Sequence, residues 1–488
     1  MKNLYLFAFL IFPFFVFSQS FTTPGTGVNW TLDDIIAQSP STLSFDGTNY
    51  TLNEELIVSQ NDTLRIDTGL TLLIADGIRV TVSGTFLCDA GDQQITIDAV
   101  DEATPYDGFR FEEVSEVSIQ NTYIAHGGGL KVITPDFSAT NCTFSENVSG
   151  VSTGAAISLS NGSPQILNNI FSYNDLPAVS SGANTNVSAS IIGNFMEANG
   201  QSNQNRPQIN MGTTGTDTLR IVGNTIMGDP AMDQVGGIAV ANLVGGQIVA
   251  IIDDNLITNN RYGLTIAGGN AFAYIRGNII EDNDTQNLPN IGGSGISLNS
   301  NTDTQTIIVS NNQFRRNLWG ITVIGEASIN LGDGAENPGE NIFADNGNSG
   351  QIYALYNNTD NTLQAKNNCW IEGQDNTSAD AESVIFHQVD DSSLGLVVFD
   401  PIGCQNWGTE NVAIQNFAFY PNPAQNEIHF SNTNNFETVK IFSLRGRLLE
   451  KTILQPGSNN LNLDLPHGIY LLQFIRDGQK ITKKLIVK

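Results

Sequence analysis

The stretch NNIFSYN at residues 168–174 recurs with variation along most of the chain. Its variants are NCTFSEN, GNFMEAN, GNTIMGD, DNLITNN, GNIIEDN, NNQFRRN and ENIFADN. The second position of the copies, with Asn368 continuing the register, is occupied by Cys142, Asn169, Asn194, Asn224, Asn255, Asn278, Asn312, Asn341 and Asn368. These positions are separated by 27, 25, 30, 31, 23, 34, 29 and 27 residues. A variable period in this range is typical of a solenoid rather than of a globular domain.

Each period contains two further short runs of alternating apolar and small residues. One run often opens with glycine, as in Gly237-Ile-Ala-Val, and the other precedes the asparagine, as in IVAIID. Such short runs with a two-residue period predict strands, whereas helical repeats need longer amphipathic segments. Three short strands in a period of roughly 27 residues predict an all-β, right-handed parallel β-helix of about 12 rungs.

The repeated asparagine has one structural and two functional interpretations. Equivalent positions on successive rungs lie about 4.8 Å apart, so stacked amides can hydrogen-bond to one another as a ladder. Asparagine also tolerates the left-handed backbone conformation that a tight bend requires. The alternatives are a ligand-binding surface and a set of glycan acceptors. The spacing favours the ladder, which we assign to Asn169, Asn194, Asn224, Asn255, Asn278, Asn312, Asn341 and Asn368.

Charge divides the chain into two parts. The formal net charge is −28, from 21 basic and 49 acidic side chains. Residues 416–488 hold nine basic and five acidic side chains, which gives this region a net charge of +4. The rest of the chain holds the other 12 basic and 44 acidic side chains and has a net charge of −32. Such an acidic body excludes nucleic acid as a partner, because phosphate binding needs clustered Lys and Arg.

The N-terminus has the features of a secretory signal peptide. Lys2 precedes an apolar stretch of 14 residues at 4–17, and a small-residue cleavage site ends at Ser18. The stretch is too short to cross a bilayer and has no counterpart downstream, so we expect no transmembrane segment after cleavage. The predicted organisation is a signal peptide at 1–18, an N-terminal cap segment at 19–50, the β-helix with its C-terminal cap at 51–404, a linker at 405–415 and a small β-sandwich at 416–488.

The outward-facing residues of the glycine-opened strands form the candidate site. In a Gly-apolar-x-apolar strand the residue x points outward, and reading x along the chain gives Arg110, Lys131, Ser158, Asn210, Ala239, Thr265, Ser297 and Thr322. Arg110 and Lys131 are expected on adjacent rungs, with Glu112 outward beside Arg110. A uronate β-elimination needs a base for the C5 proton and a cation for the carboxylate, often with Ca²⁺. These three residues are the candidate catalytic set if the protein is an enzyme, and the alternative is a solvated surface ion pair.

Comparison with β-helix enzymes weakens the catalytic interpretation. The basic pair resembles the alginate-lyase-type β-helix only loosely, because there lysine precedes arginine and an Asn-Gly-x-Glu segment is expected. The polygalacturonase pattern is not matched, since no Arg-x-Lys follows Asp253-Asp254 and His126-Gly127 lies upstream. Four dispersed histidines predict no zinc cluster. The acidic turn at 332–339 could hold Ca²⁺, although an ordinary loop fits the same residues.

Four cysteines in an exported chain permit disulfides. Cys369 and Cys404 lie on either side of a loop near the end of the acidic region, where a disulfide could staple the terminus. The sequence from AKNNCWIEG onward resembles the terminus of many secreted bacterial β-helix proteins, which commonly close with Asn-Asn-Trp-Trp-Gly. This chain has Cys-Trp-Ile where Trp-Trp-Gly would fall, and that substitution supports a Cys369–Cys404 bridge. Cys88 and Cys142 are about two rungs apart, beyond disulfide reach, and are predicted to stay unbridged.

The C-terminal region carries a more specific resemblance. The motifs Tyr420-Pro421-Asn422-Pro423, Leu444-Arg-Gly446-Arg-Leu and Gly468-Ile-Tyr470 occur in that order and are followed by Lys483-Lys484-Leu-Ile-Val-Lys488. They resemble the type A sorting domain of the type IX secretion system. That resemblance implies that this machinery is a partner of the chain and exports it across the outer membrane, often with removal of the domain and attachment to surface lipopolysaccharide.

The sequence therefore predicts an exported, cell-surface β-helix protein that binds glycan or mediates adhesion without catalysis. The alternative is a polysaccharide lyase or glycoside hydrolase that acts on an acidic polysaccharide through Arg110 and Lys131. A flat outer face of Ser, Thr and Asn would favour binding, and a deep groove with converging acids would favour the enzyme.

Overall fold

The computed structural model describes residues 20–404, 419–430, 436–443, 448–454, 460–476 and 479–488. The predicted signal peptide at 1–18, the predicted linker at 405–415 and residues 444–447 of the second sorting motif lie outside these ranges. Residues 20–404 wind through three long sheets, here called sheets A, B and C, of 14, 14 and 13 strands. The prediction of an all-β chain with a right-handed parallel β-helix and a small C-terminal β domain is confirmed.

Most turns of the chain add one strand to each sheet in the order A, B, C. The first turn adds an antiparallel pair, Leu43–Phe45 and Tyr50–Leu52, to sheet C, and the last two turns add no strand to that sheet. The strands of sheet A are Ser20–Thr22, Glu55–Val58, Arg79–Val82, Gly108–Phe111, Leu130–Val132, Ile157–Leu159, Val179–Ser181, Ile209–Met211, Ile238–Ala241, Leu264–Ala267, Ser294–Ser300, Trp319–Gly325, Leu355–Asn358 and Ile385–Phe386. Those of sheet B are Asn29–Trp30, Thr63–Ile66, Thr85–Cys88, Glu116–Gln120, Asp136–Thr140, Gln165–Leu167, Ser190–Ile192, Leu219–Val222, Ile248–Asp253, Ala271–Arg276, Gln305–Ser310, Ile329–Asn330, Leu363–Gln364 and Val397–Val398. Those of sheet C are Leu43–Phe45, Tyr50–Leu52, Thr71–Ile74, Ile95–Ala99, Thr122–Ala125, Thr143–Ser145, Ile170–Ser172, Phe195–Glu197, Thr225–Met227, Leu256–Thr258, Ile279–Glu281, Gln313–Arg315 and Ile342–Ala344.

The apolar residue two positions after each ladder residue points into the core. In sheet C this inward column includes stacked aromatic rings, with ring centroids 5.0 Å apart for Phe144 and Phe171 and for Phe314 and Phe343. Trp370 continues the second stack, with its ring 5.0 Å from that of Phe343. Because the same side-chain position repeats at the strand spacing, like residues pack on like residues.

The glycines that open several sheet A strands are required by close stacking of the backbone. A Cβ atom on Gly237 would lie 2.5 Å from the carbonyl oxygen of Gly263, and one on Gly263 would lie 2.5 Å from that of Gly295. Neither position could accept a side chain without separating neighbouring rungs. The glycine of the Gly-apolar-x-apolar pattern therefore marks the bend where successive rungs approach most closely.

The asparagines assigned to the ladder are buried and hydrogen-bonded in series. Each amide donates from Nδ2 to the Oδ1 of the next, at 2.8–3.1 Å from Asn169 to Asn368. Each Oδ1 also accepts the preceding ladder residue's backbone N–H, as Asn194 Oδ1 does from Asn169 at 2.9 Å. The ladder residues are not themselves left-handed. That conformation belongs to the residue before each one, such as Asn168 with φ 57° or Asp254 with φ 57°.

A second ladder, which we did not predict, follows the first at a distance of five residues. It runs through Asn147, Asn174, Asn199, Gln208, Asn260, Asn283, Asn317 and Asn346. The repeat GNTIMGD has Asp229 where the asparagine would stand. The longer side chain of Gln208 takes its place by joining Asn199 to Asn260, with each bond 3.0 Å long.

Both ends of the solenoid are covered. At the start, helix α1 (Leu32–Gln38) begins at the N-cap Thr31 and buries Ile35 against the first rungs. At the other end, helix α2 (Ser378–Glu382) and a disulfide between Cys369 and Cys404 close the last rung. Cys88 and Cys142 are both buried and unbridged. Covering the ends removes the open strand edges through which a β-helix would otherwise polymerise.

The N-terminal segment is held by one buried carboxylate. Asp62 accepts hydrogen bonds from the backbone N–H groups of Gly25, Gly27 and Val28 at 2.8–2.9 Å and from the Trp30 indole at 3.3 Å. Burial alone would raise the pKa of Asp62, but hydrogen bonds outweigh it and lower that pKa to about 2. The carboxylate therefore stays ionised and fixes the first segment to the solenoid.

Replacing Asp62 should loosen this segment. We expect Asp62→Asn to lower the free energy of unfolding by about 2 kcal/mol, because an amide cannot accept all of these bonds and leaves buried donors unpaired. Since the folded-state pKa is depressed, the contribution of Asp62 is fully present above pH 3.8 and is lost as the pH falls through about 2. Urea unfolding of both forms at pH 7 and near pH 2 measures this. A destabilisation that is the same at both pH values would contradict it.

The C-terminal domain consists of two antiparallel sheets. One contains Phe419–Tyr420, Glu427–Phe430 and Asn460–Asn462, and the other contains Leu448–Ile453, Thr438–Ser443, Gly468–Arg476 and Gln479–Val487. Its own apolar core includes Ile428, Val439, Phe474 and Leu485.

The sorting motifs meet within this domain. Asn422 donates from Nδ2 to the Lys484 carbonyl at 2.9 Å and accepts the Ile486 N–H at 2.8 Å, and the Tyr470 hydroxyl donates to the Pro466 carbonyl at 2.7 Å. The Tyr-Pro-Asn-Pro motif is thereby tied to the terminal strand that carries the lysines.

Candidate functional site

The outer face of sheet A places the predicted outward residues in one column. Strand pairing aligns Arg110 with Lys131 and then continues, one residue per rung, through Ser158, Ser180, Asn210, Ala239, Thr265, Ser297, Thr322, Tyr356 and Phe386. The column includes every residue that the glycine-opened pattern assigned to it. Toward the C-terminus it also includes three that the pattern missed, Ser180, Tyr356 and Phe386, and before Arg110 it continues through Thr81 and Ile57. From Lys131 to Phe386 the column contains no carboxylate.

The positive charge of the Arg110–Lys131 pair is only partly neutralised. Arg110 donates from Nε to Glu112 Oε1 at 2.6 Å and from Nη2 to Glu112 Oε2 at 3.4 Å. The guanidinium and the carboxylate therefore form an ion pair with each other. Within the described residues Lys131 has no ion-pair partner. Partial burial, followed by the nearby charge of Arg110, lowers the pKa of Lys131. The structure thus brings the candidate set together, but it assigns Glu112 to Arg110 rather than to Lys131.

This arrangement suits recognition of an anion better than acid–base hydrolysis. A half-exposed lysine beside an arginine can bind a carboxylate or sulfate group. Hydrolysis of a glycosidic bond needs two carboxyl groups on either side of the bond. Beside Lys131 the column continues with the small neutral side chains of Ser158 and Ser180.

The aromatic end of the column lies on the last rungs of sheet A. The rings of Tyr356 and Phe386 stack with centroids 4.9 Å apart and planes inclined by 20°. Trp319 packs beside them, with its ring 5.2 Å from that of Tyr356 and 4.6 Å from that of Tyr353. These four half-exposed rings are called the aromatic platform. The sequence pattern could not find it because Asn357 and His387 stand where the second apolar residue would be, although a strand was due between Asn341 and Asn368.

Two other clusters of titratable groups have structural roles. Asp253 pairs with Arg276 at 2.6 Å, and Asp254 is the left-handed bend residue before Asn255. His387 accepts the Val397 N–H at Nδ1, 2.9 Å away, and its Nε2 lies 3.0 Å from Glu382 Oε1, so both ring nitrogens are engaged at the C-terminal cap.

The acidic turn at 332–339 forms a hydrogen-bonded loop. Asp333 accepts bonds from the Asn330 side chain and from the N–H groups of Ala335 and Asn337, at 2.7–3.1 Å. These bonds lower the pKa of Asp333 to about 2. The carboxylate has a structural partner on each oxygen, which favours the ordinary-loop interpretation.

Comparison with known proteins identifies the C-terminal part of the chain. Residues 418–488 match the family described as the secretion system C-terminal sorting domain. The chain is accordingly exported by type IX secretion to the cell surface or the medium. In the described part of the chain, neither helix is long and apolar enough to span a membrane.

The remaining comparisons concern the fold. No curated protein matches the chain. Among solved structures, the chain is similar to the periplasmic alginate epimerase AlgG at 11% identity, covering 77% of this chain and 81% of that one, with a TM-score of 0.38. It is also similar to the Dettilon tailspike protein at 15% identity, covering 67% and 68%, with a TM-score of 0.27.

Proposed function

We propose that this exported β-helix protein binds an acidic glycan at the basic pair on the outer face of sheet A and does not cleave it. The observation that carries the proposal is the position of Arg110 and Lys131 side by side on adjacent rungs, in a column that contains no carboxylate from Lys131 to Phe386. The next two residues of the column, Ser158 and Ser180, are small, neutral and buried, so the anion binds at the basic pair itself. The chain has a net charge of −28, and Lys131, which has no ion-pair partner among the described residues, gives this rung a local attraction for an anion.

Binding should depend on Lys131 and on ionic strength. We expect Lys131→Ala to weaken the binding of a uronate polysaccharide to the full mature chain by about tenfold, or about 1.4 kcal/mol, because one charge-assisted contact is lost. Added salt should weaken binding by the wild type and reduce the difference in affinity between the wild type and Lys131→Ala, because salt screens a half-exposed charge. Titration calorimetry at low and physiological salt measures both effects.

The matched control is Arg220→Ala, which removes an exposed cation from the outer face of sheet B. It should leave the affinity unchanged. If both variants weakened binding equally, the effect would be one of overall charge and the assignment to sheet A would be wrong.

A uronate lyase is the second candidate. It is favoured by the position of Lys131 beside Arg110 on the adjacent rung, where partial burial and the charge of Arg110 lower the pKa of Lys131 and make a neutral amine more available as a base. Incubating the mature chain with a panel of uronate polysaccharides and following the absorbance of unsaturated product tests it. We expect no turnover. Turnover that disappears in Lys131→Ala would establish the lyase and overturn the non-catalytic proposal.

A further inference from the structure

The outer face of sheet C carries an apolar column. Strand pairing aligns its outward residues, one per rung, in the order Thr143, Ile170, Phe195, Thr225, Leu256, Ile279, Gln313 and Ile342. Five of these eight side chains are large and apolar. A contiguous run of this kind on an outer sheet face is typical of a surface that a partner covers.

The middle of this column is covered. Thr143 and Thr225 hold equivalent positions, and large side chains flank both of them on the adjacent rungs. Thr143 is nevertheless half-buried, whereas Thr225 is only 2% exposed. The Thr225 hydroxyl is buried and has no hydrogen-bond partner among the described residues. Because the flanking rungs are alike, the additional burial of Thr225 comes from a layer that lies over the sheet.

That layer is the sorting domain. Two narrow spaces over the column are each lined by sheet C on one side and by the sorting domain on the other. One space lies between Phe195 and the domain's Ile469 and Ile486. The other lies between Leu256 and the domain's Leu471. Thr225 lines both spaces, which places it beneath the domain.

The sorting domain presents a matching apolar patch. Strand pairing sets Ile469 opposite Ile486 and Leu471 opposite Lys484. The residues that alternate with them along the strands, such as Tyr470, belong to the domain's own core. The four paired side chains therefore lie on the outer face of their sheet, where all four are half-buried. They are called the docking patch. Two sheet faces with apolar side chains can pack against each other as the layers of a β-sandwich do.

Charge favours the same contact. Burial lowers the pKa of Lys484, while the nearby carboxylates of Glu281 and Glu197, both on sheet C, act in the opposite direction. The one cation of the docking patch thus lies beside two carboxylates of the β-helix. At longer range, the net charge of +4 on residues 416–488 attracts the net charge of −32 on the rest of the chain.

We propose that the outer face of sheet C is a docking site for the chain's own sorting domain, which binds there through its docking patch. This contact is independent of glycan binding, because it occupies a different sheet. It leaves part of the sorting motifs accessible, since Tyr420 is 67% exposed and Lys483 is exposed. The secretion machinery can therefore contact the domain while it is docked. Removal of the domain would uncover the apolar column.

The test uses the full mature chain with a specific protease site inserted within residues 405–415. After cleavage the sorting domain should remain bound to the β-helix, and analytical ultracentrifugation over a dilution series measures the dissociation constant. Phe195→Ala and Lys484→Glu should each raise this constant at least about tenfold, because the first removes an apolar contact and the second places like charges together.

Each variant has a matched control. Phe272→Ala removes a half-exposed outward ring from sheet B, and Lys483→Glu reverses the neighbouring charge outside the docking patch. Both should leave the dissociation constant unchanged. Adding Glu197→Lys to Lys484→Glu should restore part of the affinity by reversing the pair.

These measurements separate docking from general effects. If the two parts of the cleaved wild type show no measurable affinity, the docking site is overturned. Equal weakening by Lys483→Glu and Lys484→Glu would reduce the effect to overall charge and would also overturn it. Recovery with Glu197→Lys would show that Lys484→Glu acts at the contact and not by unfolding the domain, and a lack of any recovery would contradict the assignment of Lys484.

Discussion

Gln208→Ala should lower the free energy of unfolding by about 3–5 kcal/mol, because it interrupts the second ladder and leaves a cavity with unpaired buried amides. Gln208 Oε1 accepts hydrogen bonds from Asn199 Nδ2 at 3.0 Å and from the Asn199 backbone N–H at 3.3 Å. Gln208 Nε2 donates a hydrogen bond to Asn260 Oδ1. All three side chains are at most 1% exposed, so water cannot replace the lost partner. Urea unfolding of the mature chain measures the change.

The effect should also be local. In a solenoid each rung contacts only its neighbours, so hydrogen exchange should accelerate most in the rungs around Asn199 and Asn260. Gln208→Asn should be nearly as damaging, since the shorter amide cannot span the gap. Gln204→Ala, at an exposed glutamine in the same loop, is the control and should be silent. A wild-type stability for Gln208→Asn would mean that the bridge contributes nothing.

Phe343→Ala should lower the free energy of unfolding by about 3–5 kcal/mol, as is typical when a fully buried aromatic ring is removed. Phe343 is the middle ring of a three-ring stack, between Phe314 and Trp370, with both centroid distances 5.0 Å. Its removal takes away both contacts and leaves a cavity under the C-terminal cap. Thermal unfolding followed by near-ultraviolet circular dichroism measures the loss.

Phe272→Ala serves as the comparison for this variant. Its half-exposed ring lies on the outer face of sheet B, so its removal opens no internal cavity and should cost less than about 1 kcal/mol. Phe343→Leu should recover part of the stability by refilling the space. Equal losses for Phe343→Ala and Phe272→Ala would contradict the assignment of the inward column.

The period of the asparagines was enough to predict the fold, because it is enforced by stacking. One residue type recurs where one hydrogen-bonding geometry recurs, and the spacing then fixes which neighbours face in or out. The same regularity predicted that Arg110 and Lys131 lie side by side. The second ladder was visible in the last letter of NNIFSYN but was not interpreted. Its continuation through Gln208 could not be predicted, because that residue lies outside the motif and replaces an amide absent from position 229.

The candidate site was predictable only in part. The pattern identified outward residues that lie between two apolar residues, and it failed where the second of these is polar, as at Ser181, Asn357 and His387. Tyr356 and Phe386 therefore escaped notice, although they follow the same register. The pairing of Glu112 with Arg110 depends on side-chain rotamers and not on spacing. The strand pattern predicted on which face of the sheet each side chain lies, but not with which charged neighbour it forms an ion pair.

One titration tests most directly whether the outer face of sheet A binds an acidic glycan. It compares uronate-polymer binding by the mature chain carrying Lys131→Ala with binding by the chain carrying Arg220→Ala. Each variant loses one cation, from the outer face of sheet A in the first and from the outer face of sheet B in the second. We predict that the first binds the polymer about tenfold more weakly than the wild type and that the second binds it like the wild type. Equal affinity of the two variants would contradict the account.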